Sequence, residues 1–228
     1  MGTGSRKEVK NDIRKGKVTV NGTIQKSPQY PIDPDVDQIK INGETIKYKP
    51  FIYLMLNKPK GYITATEDDK QKTVLDLIKE EDKFLDPFPV GRLDKNTEGL
   101  LVITNDGKLA HRLLSPHKAV WKTYIAQLRK EITEDDILAF QRGLELDDGY
   151  QTKPAQLRSI GNKTVEVKIT EGKYHQVKRM FEARENKVIY LKRISMGNLH
   201  LDEKLKLGEY RELTKEELAI LREAEEVQ

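Results

Sequence analysis

Two near-continuous apolar runs constrain this chain most: Phe51-Ile-Tyr-Leu-Met-Leu-Asn and Gly99-Leu-Leu-Val-Ile-Thr. Each is too short for an amphipathic helix that shows only one face. Each is rich enough in apolar residues to be buried on both sides, which is the pattern of an interior strand. Around them the elements mix without a βαβ rhythm. Lys122-Thr-Tyr-Ile-Ala-Gln-Leu alternates like a strand, and so does Val188 to Ile194. Ala155-Gln-Leu-Arg-Ser-Ile and Thr164-Val-Glu-Val-Lys-Ile flank Gly161-Asn162 as a hairpin. Helices are expected at Val74–Ile78 behind Thr73, at Asp106–Leu114, after Thr133 as far as Gly143, at His175–Glu185, and after Thr214. The expectation is an α+β domain on a mainly antiparallel mixed sheet with flanking helices.

Residues 1–49 read as a separate small module, with the larger domain spanning 50–228. Ser5 caps a short basic helix through Arg14, and Gly16 stops it. Asn21-Gly22 and Asn42-Gly43 are strong hairpin signals. A module this small is marginal alone. Its abrupt opening, Met1-Gly-Thr-Gly, gives the expectation that a first helix is missing.

Composition narrows the chemistry. Of 228 residues 34% are charged, yet the formal net charge is only +4. The basic residues gather at the N-terminus, where Arg6, Lys7, Lys10 and Arg14 are candidate phosphate contacts. The acidic ones gather after Leu201. That layout suits a protein with one face turned to a polyanion. There is no cysteine, which excludes disulfides, thiolate catalysis and cysteine zinc sites. His111, His117, His175 and His200 show no metal-ligand spacing. No Walker loop, dinucleotide fingerprint or Gly-x-Ser-x-Gly elbow is present. No apolar run approaches the roughly 20 residues of a membrane span, and no signal peptide is visible. A cytoplasmic protein with no membrane partner is expected.

Three polar segments remain as candidates. In Gly91-Arg-Leu-Asp-Lys-Asn-Thr-Glu-Gly-Leu-Leu, two glycines bracket a loop carrying Arg92, Asp94 and Glu98 on the lip of a buried strand. Such a loop sets reactive groups on a rigid base, although a lone Asp more often caps or pairs locally. In Gly172-Lys-Tyr-His-Gln-Val-Lys-Arg-Met, four basic residues (Lys173, His175, Lys178 and Arg179) crowd a helix start that disfavours cations unless an anion sits there. In Lys122-Thr-Tyr, Tyr124 is either an ordinary strand aromatic or a platform for a stacked base.

In this order, the three segments resemble the motifs of the pseudouridine synthases. Residues 1–49 resemble an S4-type RNA-binding module through Ser5-Arg-Lys-Glu-Val-Lys and Gly16-Lys-Val-Thr-Val-Asn-Gly. The combination, and Tyr-His-Gln-Val-Lys-Arg-Met in particular, is similar to the RsuA branch, the small-subunit ribosomal RNA enzymes. The resemblance implies a catalytic carboxylate at Asp94, an active-site tyrosine at Tyr124, and a cation pairing with Asp94 at Lys178, with Arg179 second. It implies RNA contacts by Arg92, Arg179, Lys173 and His175 and by the N-terminal cations. The reaction breaks the N1–C1′ bond of a uridine, turns the base and rejoins it through C5. It needs no redox change, so no cofactor and no metal are expected. A carboxylate serves at the sugar as nucleophile or as anionic stabiliser, and both roles stay open. The implied partner is ribosomal RNA or an assembling subunit, met by a monomer. Three other readings stay open: a non-catalytic ribosome-associated RNA-binding protein, an enzyme for large-subunit RNA, and a glycosidase using Asp94 and Glu98.

Overall fold

The computed structural model describes residues 4–46, 48–115 and 118–223. Met1 to Thr3, Lys47, His117 and the last acidic residues, among them Glu225 and Glu226, lie outside the described residues. The chain divides into two compact units: 1–51 together with 79–86, and 52–78 together with 87–228. The sequence marks 1–49 as one module. It gives no sign that the short stretch from Lys79 to Asp86, which holds the one-turn helix α2 (Glu80–Lys83), groups with it.

The first unit begins with helix α1 (Arg6–Arg14). The Ser5 side chain accepts from the Glu8 amide and the Glu8 carboxylate accepts from the Ser5 amide, a complete capping box. Strands β1 (Val18–Val20), β2 (Thr23–Gln25), β3 (Ile39–Ile41) and β4 (Glu44–Ile46) form a sheet in the order β2-β1-β3-β4, antiparallel throughout. Both hairpins turn on Asn-Gly pairs with positive φ at both residues: 52° and 83° at Asn21-Gly22, 51° and 87° at Asn42-Gly43. This mirror-image turn matches the strand twist, and it is the reason Asn-Gly signals a tight hairpin.

The second unit is built on one sheet of nine strands. Its spine runs β13 (Tyr210–Glu212), β5 (Tyr53–Lys58), β7 (Glu98–Thr104), β11 (Val188–Met196), β8 (Lys122–Leu128), β10 (Thr164–Ile169), β9 (Gln156–Gly161). Short strands β6 (Phe88–Pro89) and β12 (Leu199–His200) pair with β7 and β11. Only β7 and β11 run parallel, and the other pairings are antiparallel. Every residue of β7 is buried, as its continuous apolar run requires. Helix α3 (Gly107–Leu114), capped by Asp106, packs Leu109, Ala110 and Leu113 against Met55, Leu100 and Val102. Helices α4 (Glu134–Arg142) and α5 (Gln176–Glu182) meet through the tilted rings of Phe140 and Phe181, with centroids 4.9 Å apart. Helix α6 (Lys215–Glu223) closes the described chain. The helix expected behind Thr73 is a single 3-10 turn, Val74–Leu77. The expected helix at 175–185 runs only from Gln176 to Glu182: His175 sits in the left-handed region at φ 49°, and at the other end Ala183 is the cap and Glu185 turns to φ 52°.

Candidate active site

The loop before β7 is fixed from below. Lys58 ends β5 with its side chain wholly buried. Its ammonium donates to the carbonyls of Pro59 at 3.0 Å, Asp94 at 3.1 Å, Lys95 at 3.3 Å and Thr97 at 3.0 Å. Burial pushes this lysine down to about 8 despite the nearby Asp94 carboxylate. From the side, the Thr64 hydroxyl donates to the Leu93 carbonyl at 2.7 Å and accepts from the Leu93 amide at 3.1 Å. The Gly61 amide donates to the Lys95 carbonyl at 2.9 Å. Gly99 must be glycine: its φ is +105°, and a Cβ there would run into the Arg193 main chain on the parallel neighbour β11.

On that clamped loop Asp94 faces α5. Lys178 Nζ donates to Asp94 Oδ2 at 2.8 Å, across 84 residues of sequence, and each side chain is 25% exposed. His175 Nε2 lies 3.7 Å from Asp94 Oδ1, and the exposed Tyr174 ring stacks on His175 at 3.8 Å. A cavity at this point is lined by Arg92, Asp94, Tyr124, Lys173 and His175, among others. Tyr124 comes from the middle of β8 and is 7% exposed. The structure therefore brings Arg92, Asp94, Tyr124, Lys173, His175 and Lys178 to one place.

Arg179 is not part of it. Successive helix residues diverge by about 100°, so a helix that turns Lys178 toward Asp94 turns its neighbour away. Arg179 binds Asp147 and Asp148 instead. These two carboxylates hold its guanidinium above its ordinary range. Glu98 does not share the cavity with Asp94 either. It is buried beside β11 in the sheet, where it accepts from the Tyr190 hydroxyl at 2.8 Å. Burial and this hydrogen bond raise the Tyr190 phenol well above its usual range. Among the described residues, Glu98 does not line the cavity that Asp94 lines, so the pair of the glycosidase reading is not brought together there. Among the described residues, no cluster of His, Asp and Glu could hold a metal ion, and no helix is long and apolar enough to cross a membrane.

In the first unit, Arg6, Lys7, Lys10 and Arg14 are all exposed on α1. Arg6, Lys10 and Arg14 repeat every four residues and so form one stripe.

Residues 52–183 match the family model described as RNA pseudouridylate synthase, and residues 1–37 match that of the S4 domain. Over 226 residues the chain is 51% identical to an uncharacterized RNA pseudouridine synthase of Bacillus subtilis (strain 168), covering 97% of this chain and 95% of the other. It is 39% identical over 209 residues to ribosomal small subunit pseudouridine synthase A of Escherichia coli (strain K12), covering 91% and 90%. A crystal structure of a pseudouridylate synthase superposes with a TM-score of 0.71 at 37% identity, covering 95% and 94%.

Proposed function

The chain belongs to the RNA pseudouridylate synthase family, and from that premise we propose that it isomerises one uridine of small-subunit ribosomal RNA at Asp94. The relatives named for the small ribosomal subunit, at about 40% identity over most of the chain, support the choice of RNA. One observation carries the choice of residue: the half-buried Asp94–Lys178 pair at 2.8 Å, on the wall of a cavity that Tyr124 also lines. The ammonium holds the carboxylate in position on the cavity wall by a charge-assisted hydrogen bond. Asp94 then acts on the sugar while the C1′–N1 bond breaks, and C5 takes the place of N1. Tyr124 holds the detached base by stacking. The uridine must leave its own stack to arrive there, at a cost of a few kcal/mol. Arg92, exposed at the mouth of the cavity, contacts the flanking strand. Lys173 and His175 add contacts on the α5 side. The stripe on α1 supplies phosphate attraction independent of sequence. The protein works in the cytoplasm as a monomer, on RNA free or within an assembling subunit.

Asp94→Asn tests this directly. The variant keeps the size of the side chain and should bind small-subunit RNA within about twofold of wild type while forming no pseudouridine on mapping. Turnover at the wild-type rate would remove Asp94 from the chemistry. Tight binding with no pseudouridine from the wild-type protein, on RNA or on the particle, would point instead to a non-catalytic binder.

A further inference from the structure

Two cations beside Tyr124 have no role in this chemistry so far. Lys122 and Tyr124 are two residues apart on β8, so their side chains leave the same face. Arg193 lies directly across from Tyr124 in the β8–β11 register. All three line a second cavity of about 400 Å³. That cavity shares Arg92, Tyr124, Gly172 and Lys173 with the one at Asp94. Its volume falls in the range of small-ligand sites.

Arg193 is 2% exposed. Its Nε donates to the Leu100 carbonyl at 2.9 Å, but its Nη2 is buried with no hydrogen-bond partner among the described residues. Among the described residues, Lys122 Nζ donates only to the Val120 carbonyl, at 3.2 Å. Burial, and then the charge of Arg193, push Lys122 down to about 8. The one carboxylate lining the cavity among the described residues is Glu171. It is already engaged by the Tyr150 hydroxyl, the Lys153 amide and the Gln176 side-chain amide, at 2.7, 2.9 and 2.7 Å. Two neighbouring cations withdrawn from water without an anion are costly, and the described residues supply no free anion there.

The reaction supplies one. When the C1′–N1 bond breaks, its electron pair leaves with the base. Uracil then carries one negative charge, spread over N1, O2 and O4, until C5 bonds to C1′. C5 next loses its proton and N1 gains one, which leaves a neutral isomer. A half-turn of the ring about its N3–C6 axis exchanges N1 with C5 and also O2 with O4. Two fixed cations facing the carbonyl oxygens therefore meet the same array before and after the turn. A backbone phosphate has no comparable reason to lie behind the aromatic platform. Resting on the Asp94–Tyr124 reading, we propose that Lys122 and Arg193 form a cationic floor that holds the negative charge of detached uracil while the ring turns.

The test uses the full-length protein with Lys122→Gln and Lys122→Arg. With one hydrogen bond to lose among the described residues, these substitutions are mild, and a melting temperature confirms folding. Under single turnover on saturating enzyme, K122Q should lose about 10²-fold in rate, as when one preorganised donor to a developing charge is removed. Its RNA Kd should stay within about twofold of wild type, and K122R should recover most of the rate. A wild-type rate in K122Q overturns the proposal. So does a loss confined to Kd with the saturated rate intact, which would make the floor a phosphate-binding site. Failure of the underlying reading shows separately, as turnover by D94N.

Discussion

Lys58 is the residue on which the catalytic loop rests. One ammonium, with three hydrogens, is shared among four carbonyls, three of them on the loop between Asp94 and Thr97. Substituting Lys58→Met keeps the aliphatic stem but leaves those buried acceptors short of a donor, which should destabilise the protein by about 3 kcal/mol. The loop would also lose its anchor, and a displacement of Asp94 by about 1 Å is enough to cost roughly 10²-fold in rate. Denaturant unfolding and single-turnover rates on K58M check both effects. A variant as stable and active as wild type would make the anchor dispensable. Sequence does not show this residue, for a physical reason. Lys58 follows the run Phe51–Asn57 and looks like the solvated end of a strand, while its partners are main-chain oxygens that leave no trace in residue identity. The pairing of Asp94 with Lys178 is also non-local. It is reached in sequence only through resemblance of whole motifs.

At the scale of elements, what is legible is what is local. Capping boxes at Ser5–Glu8 and Thr133–Asp136, and two Asn-Gly turns, fix their helices and hairpins through interactions within four residues. Strand β13 has no such signal: Tyr210–Glu212 is a strand only because β5 offers it an edge. The same holds for residues 79–86, whose membership of the first unit is a matter of tertiary packing. The one-residue-later start of α5 follows from the left-handed His175, a conformation uncommon for non-glycine residues in which asparagine, aspartate and histidine are enriched. Helix α1 carries its own prediction. Arg6, Lys10 and Arg14 are exposed, and none of them is needed for the capping box. Replacing all three with Gln should weaken RNA binding without altering the single-turnover rate at saturation. The slope of log Kd against log salt should flatten by about 0.7–0.9 for each phosphate no longer neutralised. An unchanged slope would mean that this stripe does not touch phosphate.

For the whole molecule, the buried lysines set stability and activity against each other as pH rises. Lys58 and Lys122 are each pushed to about 8 in the folded protein, against an ordinary 10.5. Between these values the unfolded chain holds protons that the folded one has released, so these two groups make stability rise with pH from about 8 toward 10.5. Tyr190 acts the opposite way: its phenol stays protonated in the fold above about 10 while the unfolded phenol ionises, so it lowers stability there as pH rises. Activity should already be falling through about pH 8, since a neutral Lys122 no longer holds charge on the base. The groups around Lys122 are Arg193 on β11, Glu171 and Lys173 before α5, Tyr150 and Lys153 before β9, and Arg92 on the catalytic loop. Arginine keeps its charge throughout this range, so the decline belongs to the two depressed lysines, Lys122 on the floor and Lys58 under the loop, and variants at Lys122 separate them. The wild-type single-turnover rate should thus fall with an apparent pKa near 8 while the unfolding free energy still climbs. In K122Q the share of the decline that belongs to Lys122 should vanish along with part of the climb, leaving only what Lys58 contributes, and in K122R that share should move to higher pH. A wild-type rate that stays level to about pH 10, well past the value of about 8 to which Lys122 is pushed, would show that the charge on Lys122 plays no part in the chemistry.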